Sequence, residues 1–328
     1  GGDRMSVLMC VDALLRMNLL GKVFLVTGGN AGIGVETVKQ LAKQGGTVVF
    51  TSRNLVAGKA VEDQINSGLT LGNKVEAMQM DLTDLSTVQK FAADFKEKYT
   101  SLHCLINNAG VMNVPALTKT KDNFEMQFGT NHVGHFVLTN LLLDVLKESK
   151  PSRVVCVSSC FHYESMGKPG VIDFEDVNFE KRKYDGWTSY AQSKLANVLH
   201  AKELAKRLEG TGVTAVSLHP GWVRTNLIKN SLPLWVQNWL LYPLFRLGGM
   251  IEPWAGIQTT LFCALDDSVP AHAGEYYSQA GIYGKLGTKS GWPMASPNKE
   301  VTDENAARLW AKCAELLDGK VDAAAAGK

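Results

Sequence analysis

The sequence has little of what secreted, metal-binding or nucleic-acid-binding proteins need. Its six cysteines are scattered and include no CxxC pair, the spacing typical of zinc and redox sites. We therefore predict reduced thiols in a reducing compartment and no metal site. With 34 Lys+Arg against 32 Asp+Glu, the formal charge is only +2. Because the chain also lacks a basic block that could grip a phosphate backbone, nucleic acid is not an expected partner.

A clear transmembrane segment is also missing. The N-terminal stretch MSVLMCVDALLRMNLL carries Asp12 and Arg16 and falls short of the ~20 apolar residues that a spanning helix needs. We interpret residues 1–20 as an amphipathic extension that packs on the domain or lies at a membrane surface. No secretory leader is recognisable. We expect a cytoplasmic protein, or one held peripherally on a cytoplasmic membrane face, with a disordered Ala-rich tail over 319–328.

Linkers and internal repeats are absent, whereas short β-branched runs alternate with longer helical patterns. The runs are VFLVT (23–27), TVVFT (47–51), KVEAMQM (74–80), HCLIN (103–107), RVVCVSS (153–159) and VTAVSLHP (213–220). This alternation predicts a single α/β domain over residues 21–318, a doubly wound Rossmann-type parallel sheet with helices on both faces. Ligands of such a sheet gather at the carboxyl ends of its strands.

The stretch TGGNAGIG (27–34) follows the first predicted strand and opens a helix. Gly28, Gly32 and Gly34 allow a tight turn and a close approach to an anionic pyrophosphate, whose charge the helix N-terminus favours. A glycine-rich turn without a ligand is the alternative. The position between strand and helix favours a dinucleotide.

The stretch YAQSK (190–194) places a phenol and an ammonium four residues apart. At that spacing Tyr190 and Lys194 project from the same face of a helix. A fixed cation favours the phenolate form of a neighbouring tyrosine. Beside a dinucleotide, this pair is a candidate proton-transfer device, although the same spacing also occurs by chance on ordinary helices.

Six motifs occur in the order found in short-chain dehydrogenases/reductases. They are TGGNAGIG, NNAG (107–110), NHVGHF (131–136), VSS (157–159), YAQSK and HPGWVRT (219–225). Together they span about residues 22–225. The sequences of several of these motifs resemble, more narrowly, the retinol dehydrogenase-like branch. The resemblance implies an oxidoreductase that interconverts a lipophilic aldehyde or ketone and its alcohol by hydride transfer.

The resemblance also implies roles for single residues. Tyr190 exchanges a proton with the substrate oxygen, Lys194 binds the nicotinamide ribose, Ser159 holds the substrate oxygen, and Asn131 supports Lys194 through water. Ser158 is the rival of Ser159, because adjacent strand residues point to opposite faces. The implied cofactor-binding residues are Gly28, Asn30, Gly32, Ile33, Gly34, Ser52, Arg53, Asp81, Leu82, Asn108, Gly110, Tyr190, Lys194, Pro220, Gly221 and Thr225.

The end of the second predicted strand reads FTSRN. A carboxylate there would bind the adenosine ribose hydroxyls and repel a 2′-phosphate, whereas an arginine attracts it. Ser52 stands where an NAD-dependent relative would carry its acid, and Arg53 follows. We therefore expect NADP(H), with Arg53 as a solvated loop charge as the alternative.

Two segments bear on the substrate. The Ser159-to-Tyr190 interval is long, and His162 and Tyr163 within it line a substrate entrance or pack in the loop. Residues 231–249, SLPLWVQNWLLYPLFRLGG, form a lipophilic lid, a core helix or a membrane-touching patch. Peripheral membrane contact and a homodimer are both compatible with the sequence.

Two other functions compete with this interpretation. One is a light-dependent reductase of the protochlorophyllide type, which reduces a ring C=C bond. The other is a non-catalytic NADP-binding scaffold.

Overall fold

The computed structural model describes residues 7–223, 250–279 and 291–321. Within these residues the strands, in chain order, are β1 (Val23–Val26), β2 (Thr47–Ser52), β3 (Val75–Gln79), β4 (Cys104–Asn107), β5 (Ser152–Val157), β6 (Glu164–Ser165), β7 (Lys168–Pro169), β8 (Val213–His219), β9 (Tyr276–Ser278) and β10 (Gly291–Met294). The helices are α1 (Asp12–Leu15), α2 (Gly32–Lys43), α3 (Leu55–Asn66), α4 (Leu85–Lys98), α5 (Met126–Phe128), α6 (Gly134–Leu141), α7 (Leu143–Glu148), α8 (Gly186–Arg207), α9 (Pro253–Leu265) and α10 (Asp303–Leu316). Gly129–Val133 is a π-helical turn, and Cys160–His162 and Val269–His272 are 3₁₀ turns.

Eight of these strands form one sheet in the order β10-β9-β8-β5-β4-β1-β2-β3. β10 runs antiparallel to β9, and the other pairs are parallel. The strand order reverses direction between β1 and β4, which is the arrangement of a doubly wound sheet. The predicted fold class is therefore confirmed, and the antiparallel edge strand β10 is an addition that the sequence pattern did not indicate.

Apolar side chains fill both faces of the sheet. On one face, Phe91 of α4 and Phe136 of α6 are buried with Leu199 of α8 and Trp310 of α10. On the other face, Leu41 of α2 packs in a second cluster together with α9 side chains. Burial on both faces explains why the central strands are nearly continuous apolar runs.

The longest described helix, α8, carries the YAQSK stretch. Its N-cap is Asp185, whose carboxylate accepts a hydrogen bond from the backbone N–H of Thr188 at 2.8 Å. Lys206 and Arg207 lie in its last turn, where positive charge is favourable. Most of its residues are buried, because the helix packs on the sheet and is covered by α10.

The described part of the N-terminal extension is mostly non-helical. The helix α1 has only 4 residues, and Cys10, Leu14 and Leu19 are buried against the domain. Its packing is fixed by polar contacts as well, since Gln279 exchanges two hydrogen bonds with the backbone of Leu8. Among the residues that the structure describes, no helix is both long and apolar enough to cross a membrane.

Candidate active site

The glycine loop between β1 and α2 has the geometry that the sequence predicted. Gly28 and Gly32 have φ values of +65° and +57°, which favour glycine. A Cβ on Gly34 would lie 2.4 Å from the carbonyl oxygen of Gly28, so the helix could not begin so close to the turn with a larger residue. Asn30 and Ile33 are half-buried in the same loop and first turn.

Gly29 was not predicted as a site residue. Close packing against β2 explains why this position is a glycine. A Cβ there would lie 2.5 Å from the Cβ of Phe50 on β2. This close contact holds the loop down on the sheet. The sequence signal was the extra glycine in TGGNAGIG, which a phosphate-binding pattern alone does not explain.

Thr27 connects the loop to the end of β4. Its Oγ1 accepts hydrogen bonds from the backbone N–H groups of Asn108 and Ala109, both at 2.9 Å. The Asn108 side chain donates in turn to the Thr27 carbonyl at 2.8 Å. Asn108 therefore joins two strand ends, which is more than a turn residue does.

A buried histidine extends this connection to Asn131. Since Thr27 Oγ1 already accepts two bonds, its hydroxyl hydrogen points to His135 Nε2, 2.8 Å away. His135 Nδ1 then carries the hydrogen and donates to the backbone oxygen of Asn131 at 2.9 Å. Burial lowers the pKa of His135 to about 4, so the ring is neutral at physiological pH. Thr27 lies in the TGGNAGIG motif and His135 in the NHVGHF motif, but their spacing in the sequence did not predict that they are site residues.

Asn131 lies in the π-helical turn with no exposed surface. Its side chain accepts from the backbone N–H of Val111 at 2.8 Å and donates to the Val111 carbonyl and to Ser193 Oγ, both at 2.9 Å. The side-chain oxygen and the side-chain amide nitrogen of Asn131 therefore both have protein partners that fix their orientation. The expected link from Asn131 to Lys194 through water stays a prediction.

Tyr190 and Lys194 lie together on α8, as their spacing predicted. Both side chains are buried, and the Lys194 ammonium lies 5.7 Å from the centre of the Tyr190 ring. Lys194 Nζ donates to the carbonyl oxygen of Val157 at 3.1 Å, and no carboxylate forms an ion pair with it among the described residues. Burial lowers the pKa of Lys194 from 10.5 to about 8, so the amine is still largely protonated at neutral pH.

The two serines after β5 have different partners. Ser158 Oγ donates to the backbone oxygen of Lys194 at 2.7 Å and so anchors α8 to the sheet. Ser159 Oγ accepts from the backbone N–H of Phe161 at 3.3 Å and also hydrogen-bonds with the Cys160 side chain, so its partners lie within its own turn and it does not anchor α8. This difference favours Ser159 over its rival as the residue that contacts substrate.

The end of β2 lies beside the glycine loop, because β1 and β2 are paired in parallel. Arg53 is exposed there and forms no ion pair with a carboxylate in the described ranges. Ser52 is buried, and its hydroxyl donates to the backbone oxygen of Asn54 at 2.8 Å. At the end of β3, the Asp81 carboxylate accepts two hydrogen bonds from Thr83.

Leu82 is buried against Gly134, where an added Cβ would lie 2.9 Å from Leu82 Cδ2. At the end of β8, Pro220 is half-buried and Gly221 has a φ of +92°. Thr225 and the segment 231–249, with Trp235, Trp239, Leu240, Leu244 and Phe245, lie outside the described residues.

Aromatic rings border Tyr190. Phe161 stacks on Trp187 with ring centres 5.2 Å apart and meets the Tyr190 ring edge-on at 5.9 Å. His162, by contrast, is fully buried and bonded at both ring nitrogens, to the Ser159 carbonyl at 2.6 Å and to Ser296 Oγ at 2.7 Å. His162 is thus a packed loop residue, whereas Phe161 and Trp187, which the sequence did not single out, are the half-buried rings near Tyr190.

The residues fit a nicotinamide dinucleotide. A Cβ added to Gly110 would lie 3.1 Å from Asn131 Oδ1 and 3.4 Å from Lys194 Nζ, so glycine keeps the space above the ammonium open. The glycine loop would hold the pyrophosphate, Arg53 a 2′-phosphate, and Lys194 the nicotinamide ribose.

Comparisons with known proteins agree with this arrangement. Residues 22–174 match the sequence profile of the family described as short chain dehydrogenase. The chain is 41% identical to retinol dehydrogenase 12 of Bos taurus over 92% of its length and 88% of that protein's. It is also 41% identical to retinol dehydrogenase 13 of Homo sapiens, over 90% of the chain and 85% of that protein. A crystal structure of an uncharacterised Mycobacterium paratuberculosis protein superposes with a TM-score of 0.72 at 32% identity, covering 95% of this chain and 98% of the other.

Proposed function

The chain belongs to the short-chain dehydrogenase/reductase family, in its retinol dehydrogenase-like branch, and on this basis we propose an NADP(H)-dependent enzyme that interconverts a lipophilic aldehyde or ketone and its alcohol. That it is an oxidoreductase follows from the family. The cofactor preference, the substrate and the roles of single residues are the proposal.

The buried ammonium of Lys194 beside Tyr190 carries the proposal. An ionisable amine that is buried without a carboxylate costs stability. Within the described part of the chain, the acceptor for Lys194 Nζ is the neutral carbonyl of Val157. A site that retains such a group uses its charge on a ligand or a neighbouring side chain. The phenol of Tyr190 and the ribose of a bound dinucleotide are the groups within its reach.

The chain's residues divide the chemistry between them. NADP(H), when bound, supplies or accepts the hydride. In the reductive direction, Tyr190 Oη gives its proton to the carbonyl oxygen, and the positive charge of Lys194 stabilises the phenolate that remains. Ser159 Oγ donates a hydrogen bond to the same oxygen and fixes its position. The oxidative direction reverses these steps.

Two features support the finer parts of the proposal. The exposed guanidinium of Arg53, without a carboxylate partner in the described ranges, favours a cofactor with a 2′-phosphate. The stacked rings of Phe161 and Trp187 beside Tyr190 offer an apolar surface to a flat or extended lipophilic substrate. The name of the relatives, retinol dehydrogenase, agrees with a substrate of that class.

The deciding experiment compares the wild type with Tyr190→Phe on a panel of lipophilic aldehydes and ketones, with NADPH consumption as the readout. We expect the variant to bind NADPH nearly as well as the wild type and to lose at least ~10²-fold in kcat, because only the proton donor is removed. Substantial turnover by the phenylalanine variant would overturn the assignment of Tyr190.

The same panel separates the competing functions. Turnover of a cyclic conjugated C=C substrate under illumination, with no turnover of carbonyls in the dark, would favour the protochlorophyllide type. Tight NADPH binding without turnover of any substrate would favour the scaffold, although a scaffold has no need of Tyr190, Lys194 and Ser159 together.

A further inference from the structure

A buried chain of polar groups runs from the C-terminal helix α10 to the catalytic lysine. Cys313 Sγ on α10 lies 3.3 Å from His132 Nε2, and His132 Nδ1 lies 3.3 Å from Asn197 Oδ1. Asn197 Nδ2 donates to the Val157 carbonyl at 3.1 Å, and the same oxygen accepts from Lys194 Nζ at 3.1 Å. All four of these side chains are at most 4% exposed.

The direction of each hydrogen bond follows from the acceptor at one end. The Val157 carbonyl has no hydrogen, so Asn197 must present its amide N–H₂ to it and its Oδ1 to His132. An oxygen facing His132 Nδ1 requires that nitrogen to carry the hydrogen. Burial lowers the pKa of His132 to about 3, so the ring is neutral and Nε2 has a lone pair. The Cys313 thiol must then donate its hydrogen to Nε2.

We propose that Cys313, His132 and Asn197 are positioning residues for the catalytic lysine, with the Cys313 S–H fixing the tautomer that keeps Asn197 on the Val157 carbonyl. This inference rests on the proposed function of Lys194. The carbonyl accepts two donors at once, so the Asn197 bond confines the place at which Lys194 Nζ can sit. None of the three residues touches the substrate.

The consequence of losing the thiol hydrogen is specific. Without a donor facing Nε2, the His132 tautomer that carries its hydrogen on Nε2 becomes the more stable one. The Nδ1 lone pair of His132 then faces a lone pair of Asn197 Oδ1, and the two atoms repel each other. A flip of the Asn197 side-chain amide removes this repulsion. Asn197 would then present its oxygen to the Val157 carbonyl, and the support for the Lys194 position would be lost.

The test compares Cys313→Ala and Cys313→Ser with Cys263→Ala in the full-length protein. Cys263 is a matched control, because it is equally buried on α9, against the opposite face of the sheet. Three quantities are measured: the His132 tautomer by ¹⁵N chemical shifts in histidine-labelled protein, the Kd of NADPH by fluorescence, and kcat and KM for a lipophilic aldehyde. A His132→Gln sample assigns the resonance.

We expect Cys313→Ala to lose the Nδ1–H tautomer and to lower kcat about tenfold, with KM for the aldehyde changed less than ~2-fold, because only the placement of Lys194 suffers. Cys313→Ser, which retains a donor, should restore both the tautomer and most of kcat. Cys263→Ala should resemble the wild type in both, whatever its melting temperature.

An unchanged tautomer in Cys313→Ala, or equal losses of kcat in Cys313→Ala and Cys263→Ala, would overturn the proposal. A wild type inactive on every carbonyl would count against the proposed function. The inference would still be decided, because the His132 tautomer of the three variants is measured without turnover.

Discussion

Burial of the Lys194 ammonium costs stability at a single residue. Its ordinary pKa of 10.5 falls to about 8 on burial, so the folded protein holds the proton less tightly than the unfolded chain does. The charge therefore destabilises the cofactor-free protein at every pH below ~8, by on the order of 3 kcal/mol. This cost disappears as the pH rises from ~8 to ~10.5.

Lys194→Met should accordingly stabilise the cofactor-free protein while removing its activity. Methionine keeps most of the side-chain length without the charge, so we expect a melting temperature a few degrees above the wild type at pH 7. The gap should narrow at pH 10, where the wild-type amine is neutral. Calorimetry at both pH values checks this, and a variant less stable than the wild type at pH 7 would contradict it.

Arg53 should decide between the two nicotinamide dinucleotides. Its guanidinium would pair with a 2′-phosphate, and Ser52 offers no competing acid, so we expect NADPH to bind at least ~10-fold more tightly than NADH; about 1.4 kcal/mol suffices for that factor. Arg53→Ala should remove most of this preference by weakening NADPH alone. Lys22, exposed before β1, provides the control variant Lys22→Ala, which should retain it. Equal wild-type affinities, measured by titration, would overturn the NADP(H) assignment.

Among the elements, the loop after β5 depends on a distant segment. Asn298 Nδ2 donates to the carbonyl oxygens of His162 at 2.6 Å and Gly170 at 2.8 Å, and so closes the β6–β7 hairpin against the residues that follow Ser159. Both acceptors belong to buried residues. The loop that carries Phe161 towards Tyr190 is therefore held from the segment before α10.

Asn298→Ala should loosen this loop without unfolding the sheet. Two buried carbonyls lose their donor, which costs about 1–3 kcal/mol, and we expect faster hydrogen exchange over residues 160–170 and a higher KM. Asn305→Ala is the matched control, because Asn305 donates only within its own turn, to Glu300. Equal exchange over 160–170 in both variants would show that the loop does not depend on Asn298.

The elements that the sequence predicted are those whose signal is local. The six predicted strands all occur. The central ones are short apolar runs because they are buried on both faces, whereas β3 lies at the sheet edge and alternates buried with half-buried residues. The edge strand β10 and its neighbour β9 were not predicted, because they have 4 and 3 residues and no clear alternation. The pair Tyr190 and Lys194 could be found from helix periodicity. The contact of His132 with Cys313, 181 positions away, has no local signal and requires the packing of α10 on α8.

At the scale of the whole molecule, the packing of α10 limits how copies of the chain could associate. Trp310 of α10 packs against Phe136 with ring centres 4.8 Å apart, and the two lie in one apolar cluster with Leu199 of α8. A homodimer that used the surface of α8 beneath α10 would have to displace that helix. The homodimer, the peripheral membrane contact and the cytoplasmic location stay predictions.

The protein also contains a set of buried neutral histidines: His132, His135, His162, His200 and His219. Burial lowers the pKa to about 3 for His132 and His219, to about 4 for His135 and His162, and well below 6.5 for His200. In the unfolded chain each takes a proton near pH ~6.5. Stability that is complete above pH ~6.5 is therefore lost as the pH falls towards 4, by on the order of 1.4 kcal/mol per pH unit for each histidine.

We therefore expect cooperative acid unfolding between about pH 4 and 6, before most carboxylates are protonated.

His200→Leu should move the midpoint of acid unfolding to lower pH, and it should reduce the number of protons taken up on unfolding by about one. Neither ring nitrogen of His200 has a hydrogen-bond partner among the described residues, so the substitution removes a protonation site without breaking a bond. Urea unfolding followed by circular dichroism from pH 4.5 to 7.5 gives the slope directly. A free energy of unfolding that is flat over this range would mean that the buried histidines are protonated in the folded protein, which the tautomer assigned to His132 does not allow.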